Sequence, residues 1–223
     1  MTVQLEFLKS IPYFQGLSST ELESVRQHVF ERTVPRGELI QLEGEKVDAL
    51  FFVVSGAVKV FKTSAEGKEQ ILAIARPGDS FNDTALFDQQ PSPASAETMT
   101  PAHLYGITRA SFESILHRHP RVALNTARVL AEQTRRLVSL VEDLSFRHVT
   151  SRVARILLEN AGNSTDHGPR LTQQDMAAMA GTVREVVARS LRALEEDGLI
   201  RMERQRIHIT DRASLQALAG TPA

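Results

Sequence analysis

The chain has 223 residues, enough for one large domain or two small ones with a core each, and its 26 basic and 27 acidic side chains leave it close to neutral. With no global polyelectrolyte charge, any nucleic-acid surface must be local. The complete lack of cysteine excludes disulfides, cysteine-ligated iron–sulfur clusters, Cys-type zinc sites and thiol redox sensing.

The start, Met1-Thr2-Val3-Gln4-Leu5-Glu6, has neither the basic opening nor the apolar run of a signal peptide. No segment reaches the roughly 20 apolar residues that span a bilayer, so a cytoplasmic protein with no membrane partner is expected. Residues 3–30 read as helices, with an N-cap offered by Ser18-Ser19-Thr20-Glu21 and apolar Leu22, Val25 and Val29 at helical spacing. The period then changes. From about 31 to 108, short β-rich runs (38–41, 49–54, 57–62, 70–75 and 103–107) are punctuated by glycines, which predicts a β-sandwich or barrel. Ser64-Ala65-Glu66-Gly67-Lys68 reads as a hairpin loop.

A short helix is predicted over 110–119, and Pro120 opens a long one. Along it Ala123, Ala127, Leu130, Thr134, Leu137, Val141 and Leu144 alternate steps of four and three, the seam of a parallel helix pair between two copies of the chain. The same pattern also suits an amphipathic helix packed on its own β domain. Helix resumes over 149–160, a polar loop comes next at 163–169, and a helix pair is expected at 172–178 and 183–197 before two β runs, 199–203 and 206–210. The domains are therefore drawn as 1–119, 120–145 and 146–223 in an α+β chain. The last of these carries 11 Arg, no Lys and 9 acidic residues, a composition suited to bidentate recognition of phosphate or guanine.

The informative stretch is 171–191. Thr172 can cap the first helix of the pair, and Gly181 permits a tight turn into the second. Ala177, Val187 and Leu191 have the spacing to pack the two together, which leaves Arg184, Glu185 and Arg189 on the outer face at the start of the second helix. A recognition helix needs that arrangement: its N-terminal residues reach base edges, Arg bonding guanine O6 and N7 and Glu accepting from cytosine N4. The competing reading is a solvated face with a Glu185–Arg189 ion pair. Downstream of the trio, Glu195 to Ile200 and then a β-hairpin read as a wing and favour DNA. A ligand-binding module with a degenerate DNA domain is the alternative, opposed by the intact Arg184, Glu185 and Arg189 face, and an enzyme is not expected. Asp79, Asp83 and Asp88 suit capping and turn roles, and no HExxH, P-loop, nucleophile elbow or dinucleotide fingerprint accompanies them.

These residues resemble the cAMP receptor protein/FNR superfamily of bacterial regulators, over nearly the whole chain. Residues 41–44 and 50–60 look like its cyclic-nucleotide-binding-type β-roll, a double-stranded β-helix. Residues 76–87 look like its phosphate-binding cassette, 146–154 like its junction into the DNA domain, and Arg184-Glu185-x-x-x-Arg189 like its recognition helix for TGTGA-type half-sites. The resemblance implies a β-roll sensor domain, a long dimerisation helix and a C-terminal winged helix-turn-helix. It implies a homodimer on double-stranded DNA with RNA polymerase as a partner. It places the DNA contacts at Thr172, Gln173, Thr182, Val183, Arg184, Glu185 and Arg189. It places the dimer interface at Ala127, Leu130, Thr134, Leu137, Val141 and Leu144. Val183 departs from the phosphate-contacting Ser of many members.

The effector pocket implied by the resemblance falls at Asn82, Asp83, Thr84, Pro93, Ala94, Leu137 and Val138. Asn82-Asp83 replaces the Gly-Glu of cAMP-binding members, and Pro93-Ala94 replaces the Arg-Ser that grips the cyclic phosphate, so the strongest charge-assisted partner is missing and cAMP is not expected. Three effector readings stay open: an apolar or weakly polar small molecule, heme, or none. Candidate heme ligands are His28, His103, His117, His119, His148, His167 and His208; no metal site is expected.

Overall fold

The computed structural model describes residues 3–161, 171–203 and 206–220. The chain divides into two compact units, Met1–Lys62 with Leu72–Leu137, and Thr63–Ile71 with Val138–Ala223.

In the first unit, helices α1 (Leu5–Ser10) and α2 (Ser19–Arg26) precede strands β1 (Val29–Val34), β2 (Leu39–Gln41), β3 (Ala49–Ser55), β4 (Val58–Thr63), β5 (Glu69–Ala75) and β6 (Ser80–Phe81). Helix α3 (Asp83–Asp88), β7 (Ser95–Thr98), β8 (Ala102–Thr108), α4 (Arg109–Arg118) and the long α5 (Pro120–Phe146), whose residues from Val138 on belong to the second unit, complete the order. The strands form two four-stranded sheets, ordered β1-β8-β3-β6 and β2-β7-β4-β5. Strand β3 shows how the sequence builds two cores from one run. Its apolar stretch alternates with period two. Phe51 and Val53 join Val58, Ala96 and Leu104 in the core shared by the two sheets, while Leu50 and Phe52 join Tyr13, Phe14, Ile107, Phe112 and Val122 under the helices. Both faces of β3 are buried, which is why the run has no polar alternation.

The predicted capping signal is built: Ser18 caps α2, its Oγ accepting from Glu21 N at 3.3 Å while Glu21 Oε2 accepts from Ser18 N at 2.7 Å. Val29 does not continue that helix. It starts β1, paired antiparallel with Ile107 of β8. Strands β6 and β7 and helix α3 also lie outside the predicted runs.

In the second unit, α6 (Val149–Ala161), α7 (Gln173–Ala180), α8 (Arg184–Glu196), the hairpin β9 (Ile200–Glu203) and β10 (Arg206–Ile209), and α9 (Arg212–Ala219) surround a core of Val153, Leu157, Met176, Ala177, Val187, Leu191, Leu194 and Leu215. The loop predicted at 163–169, with His167, lies outside the described residues. Helix α9 is not among the predicted elements, although Asp211 caps it by accepting from Ser214 N at 3.0 Å.

Candidate nucleic-acid interface

The helix pair is fixed at three points. Thr172 Oγ1 accepts from Asp175 N at 3.1 Å and Asp175 Oδ2 accepts from Thr172 N at 2.8 Å, a reciprocal cap at the start of α7. Gly181 ends α7 in the left-handed conformation at φ 64°, which allows Thr182 N to bond Ala177 O at 3.0 Å and turn the chain. A Cβ at this position would stand 2.6 Å from Leu144 Cδ2 of α5 and 3.0 Å from Gln70 Oε1, so the glycine also serves a close approach. Val183 is the N-cap of α8, extended and without a side-chain cap bond.

Helix α8 buries Val187, Ser190, Leu191 and Leu194 against α6 and α7, with Thr150 and Ser190 hydroxyls 3.1 Å apart. Its other face exposes Arg184, Glu185, Arg189 and Arg192. None of these four forms a hydrogen bond or ion pair among the described residues, so the Glu185–Arg189 pair that would neutralise the face is not made. Arg192 extends the Glu185–Arg189 stripe by one turn. Its i+7 spacing from Glu185 was the signal that could have found it. Thr172 is exposed with its hydroxyl committed to the cap, and Gln173 and Thr182 are half-buried beside it. The wing is tied to α8 by Glu195 Oε1, which accepts from Met202 N at 2.7 Å, and by Thr210 Oγ1, which donates to Gly198 O at 2.5 Å.

Two cationic side chains finish helix C-termini, where carbonyl dipoles favour positive charge. Arg152 donates to Arg147 O at 2.7 Å and Asp143 O at 3.2 Å at the end of α5, and to Ala180 O at 2.8 Å at the end of α7. From the β4–β5 hairpin, Lys68 Nζ donates to Gly181 O at 3.1 Å and Gln70 Nε2 to Met179 O at 3.3 Å. The sequence marks 64–68 as a hairpin loop without a hint of this destination.

On α5, Val122, Asn125 and Thr126 are buried. Of the predicted seam, Ala127, Thr134, Leu137 and Val141 are exposed, and Leu130 and Leu144 half-buried. Leu137, Val138 and Val141 keep 47 %, 63 % and 62 % of their surface in the single chain.

Of the predicted pocket residues, Asn82 is half-buried and Asp83 buried. Thr84 and Pro93 are exposed and Ala94 is buried. Asn82 sits at φ 71°, left-handed, at the start of α3. Asp83 is buried rather than in the turn role its sequence context suggested: its carboxylate accepts from Tyr13 Oη at 2.7 Å, Ser80 Oγ at 3.2 Å and Gln133 Nε2 of α5 at 2.5 Å. Asp79 and Asp88 do hold turns, accepting from Arg76 N at 3.0 Å and Gln90 N at 2.9 Å. A cavity of about 60 Å³ next to this cluster is lined by Tyr13, Ser80, Glu132, Gln133 and Arg136 among others, and by none of the seven predicted positions. These residues do not fit a cyclic nucleotide. The cassette carboxylate is engaged inward, and Pro93 and Ala94 offer no side-chain donor to an anionic phosphate. Among the histidines, His103 Nε2 lies 2.9 Å from Glu31 and His119 Nδ1 3.6 Å from Glu21. Among the described residues there is no cluster of three or more metal ligands, and no helix is long and apolar enough to cross a membrane.

Burial raises the pKa of Asp83, and the hydrogen bonds from Gln133, Tyr13 and Ser80 oppose that. Because the folded pKa lies above the unfolded one, the folded chain binds this proton more tightly. The group's stabilisation is therefore present below the unfolded pKa and is lost as pH rises through the folded value. In thermal melts over that range, the wild-type Tm is expected to fall relative to an Asp83→Asn variant as pH rises. A Tm difference that stays constant with pH would show that Asp83 titrates alike in both states.

Comparison with known proteins bears on the whole chain. The family model described as a cyclic nucleotide-binding domain matches residues 31–119, and that described as a Crp-like helix-turn-helix domain matches residues 151–218. The chain is 32 % identical over 212 residues to the cyclic AMP receptor protein of Thermus thermophilus, covering 95 % of this chain and 98 % of that one. It is 32 % identical over 213 residues to the CRP-like cAMP-activated global transcriptional regulator of Mycobacterium tuberculosis, covering 92 % and 95 %. The structure of FixK2 from Bradyrhizobium japonicum superposes with a TM-score of 0.77 at 26 % identity, covering 87 % of this chain and 99 % of that one.

Proposed function

The chain belongs to the cAMP receptor protein/FNR family of DNA-binding transcription regulators, and from that premise we propose that it works as a cytoplasmic homodimer reading palindromic TGTGA-like half-sites without control by cAMP. The observation that carries the reading is the unpartnered face of α8. A helix that leaves Arg184, Glu185 and Arg189 exposed and unpaired keeps its donors and acceptor for a partner. Arg184 and Arg189 match guanine O6 and N7, and Glu185 matches cytosine N4. Gln173 and Thr182 flank the helix entry and suit sugar–phosphate contacts that fix its register, and Thr172, whose hydroxyl is spent in the cap, positions them.

The dimer is argued from α5, whose apolar seam is exposed in the single chain. Two parallel copies would bury that seam and set two recognition helices about one DNA turn apart. RNA polymerase is the partner expected of a bound regulator. The Mycobacterium tuberculosis relative is cAMP-activated by name. In this chain the inward engagement of Asp83 and the Pro93-Ala94 pair favour an effector-independent protein, or one answering to a less polar ligand than a cyclic nucleotide. Heme is the weaker alternative, since His103 and His119 already face carboxylates.

Arg184→Ala is expected to cost about 1–3 kcal/mol on a TGTGA-N6-TCACA duplex, and Glu185→Ala to relax the preference at a single base pair. Both are read by gel shift against a scrambled duplex at fixed salt. Equal losses on the two duplexes would assign these side chains to the backbone and end the base-reading claim.

A further inference from the structure

The N-cap of the recognition helix is the place where α8 is least explained by its own stability. Ser, Thr, Asp and Asn favour that position because a side-chain oxygen satisfies an open helix N–H, and a β-branched hydrocarbon there forgoes the bond. Val183 makes no cap bond. It is 51 % exposed, against the complete burial of Val187 one turn on. Its isopropyl group therefore covers no core, and it stands directly before Arg184 and Glu185, whose side chains are free. The first residues of a recognition helix are the ones that meet base edges. In the major groove only thymine presents a methyl group, at C5.

Resting on the DNA-binding reading, we propose that Val183 is a specificity-determining residue that packs its methyl groups on a thymine C5-methyl in each half-site. The contact selects thymine over cytosine and over uracil by excluding water from two methyl surfaces. The preference over uracil is one the charged trio cannot express, because thymine and uracil present the same hydrogen-bond pattern to Arg and Glu. It also accounts for a valine at a position where the helix alone would favour serine.

The test uses the full chain and lets the protein name its own site. The wild type enriches an operator from a random duplex pool at low salt. A DNA-competent minority state lowers apparent affinity only by its population, so no effector is needed. Each thymine of the selected operator is then replaced by deoxyuridine, one at a time, and affinities are measured for wild type, Val183→Ala and Val183→Ser. At one thymine per half-site the wild type is expected to bind the uracil duplex about four-fold more weakly, the value of one buried methyl-sized group. Both variants are expected to bind the thymine and uracil duplexes alike. A wild type indifferent to every thymine methyl, or variants that discriminate as the wild type does, overturns the proposal while the DNA reading stands. A pool that yields no consensus sequence overturns the DNA reading and this inference with it.

Discussion

Leu137→Lys is expected to abolish dimerisation and operator binding together. Leu137 lies at the middle of the α5 seam, one heptad from Leu130 and one from Leu144, so in a parallel pair it faces the same residue of the second copy. It is 47 % exposed in the single chain, so a lysine there costs the isolated chain little and the damage falls on association. Two ammonium groups would meet across the seam, each losing water with no counter-ion, at an effective cost of several kcal/mol per ion. A palindromic site is bound through both helix-turn-helix units at once, so a monomer forfeits the second half-site and the effective concentration that links them. Sedimentation should show a monomer whose circular dichroism is unchanged, and the gel shift on a palindromic duplex should disappear. A variant that stays dimeric would move the interface off α5.

Leu191→Ala is expected to unfold the second unit at temperatures where the first is intact. Leu191 is fully buried on α8 between Val187 and Leu194, in the core that α6, α7 and α9 share. Removing it deletes the transfer free energy of three carbons and leaves a cavity, about 2–5 kcal/mol for such sites. In a unit of this size 1 kcal/mol moves Tm by roughly 4–8 °C, so a downward shift of about 10 °C or more is expected for that transition. Calorimetry of the full chain should show the transition of the first unit in place, with Tyr13 and Tyr105 reporting it by near-ultraviolet dichroism. If both units lose stability equally, their folding is coupled, contrary to their separate cores.

What the sequence disclosed and what it hid divide along physical lines. The helix-turn-helix was legible because its signals are local: a Thr172–Asp175 cap, a glycine at the turn, apolar spacing on one side and charge on the other. Strand β1 was hidden because Val29 extends the helical spacing of Leu22 and Val25, and only its pairing with β8, far along the chain, makes it a strand. Strand β7 is Ser-Ala-Glu-Thr, too polar and small to announce itself. It gains its place from bonding β2 and β4 on either side. Helix α9 has a local signal in its Asp211–Ser214 cap, but the short β run before it masks where a helix could begin.

The candidate effector region was the least legible part. Its residues were placed by resemblance, and side-chain direction is a tertiary property. Asp83 turns inward because Tyr13, Ser80 and Gln133, separated from it by 70, 3 and 50 residues, converge as donors on its carboxylate. No window of sequence around Asp83 contains that information, whereas the recognition helix needs only about twenty residues of its own.

The crowding between Gly181 and Leu144 has an evolutionary consequence. Any side chain at 181 must accept a left-handed backbone, at roughly 1–2 kcal/mol for an ordinary residue, and must also displace a leucine methyl that a Cβ would approach to 2.6 Å. That methyl is the end of a flexible side chain and can swing aside, so the backbone conformation is the stiffer of the two constraints. A change at 181 therefore asks Leu144 for a new rotamer, and in the proposed dimer Leu144 is also a seam residue, so the adjustment would be felt in the pairing of two copies. At Gly198, also left-handed at φ 72° but with nothing within 4 Å of a Cβ, no such adjustment is required. A substitution in the turn between the two helices is thus coupled to a neighbour 37 residues away.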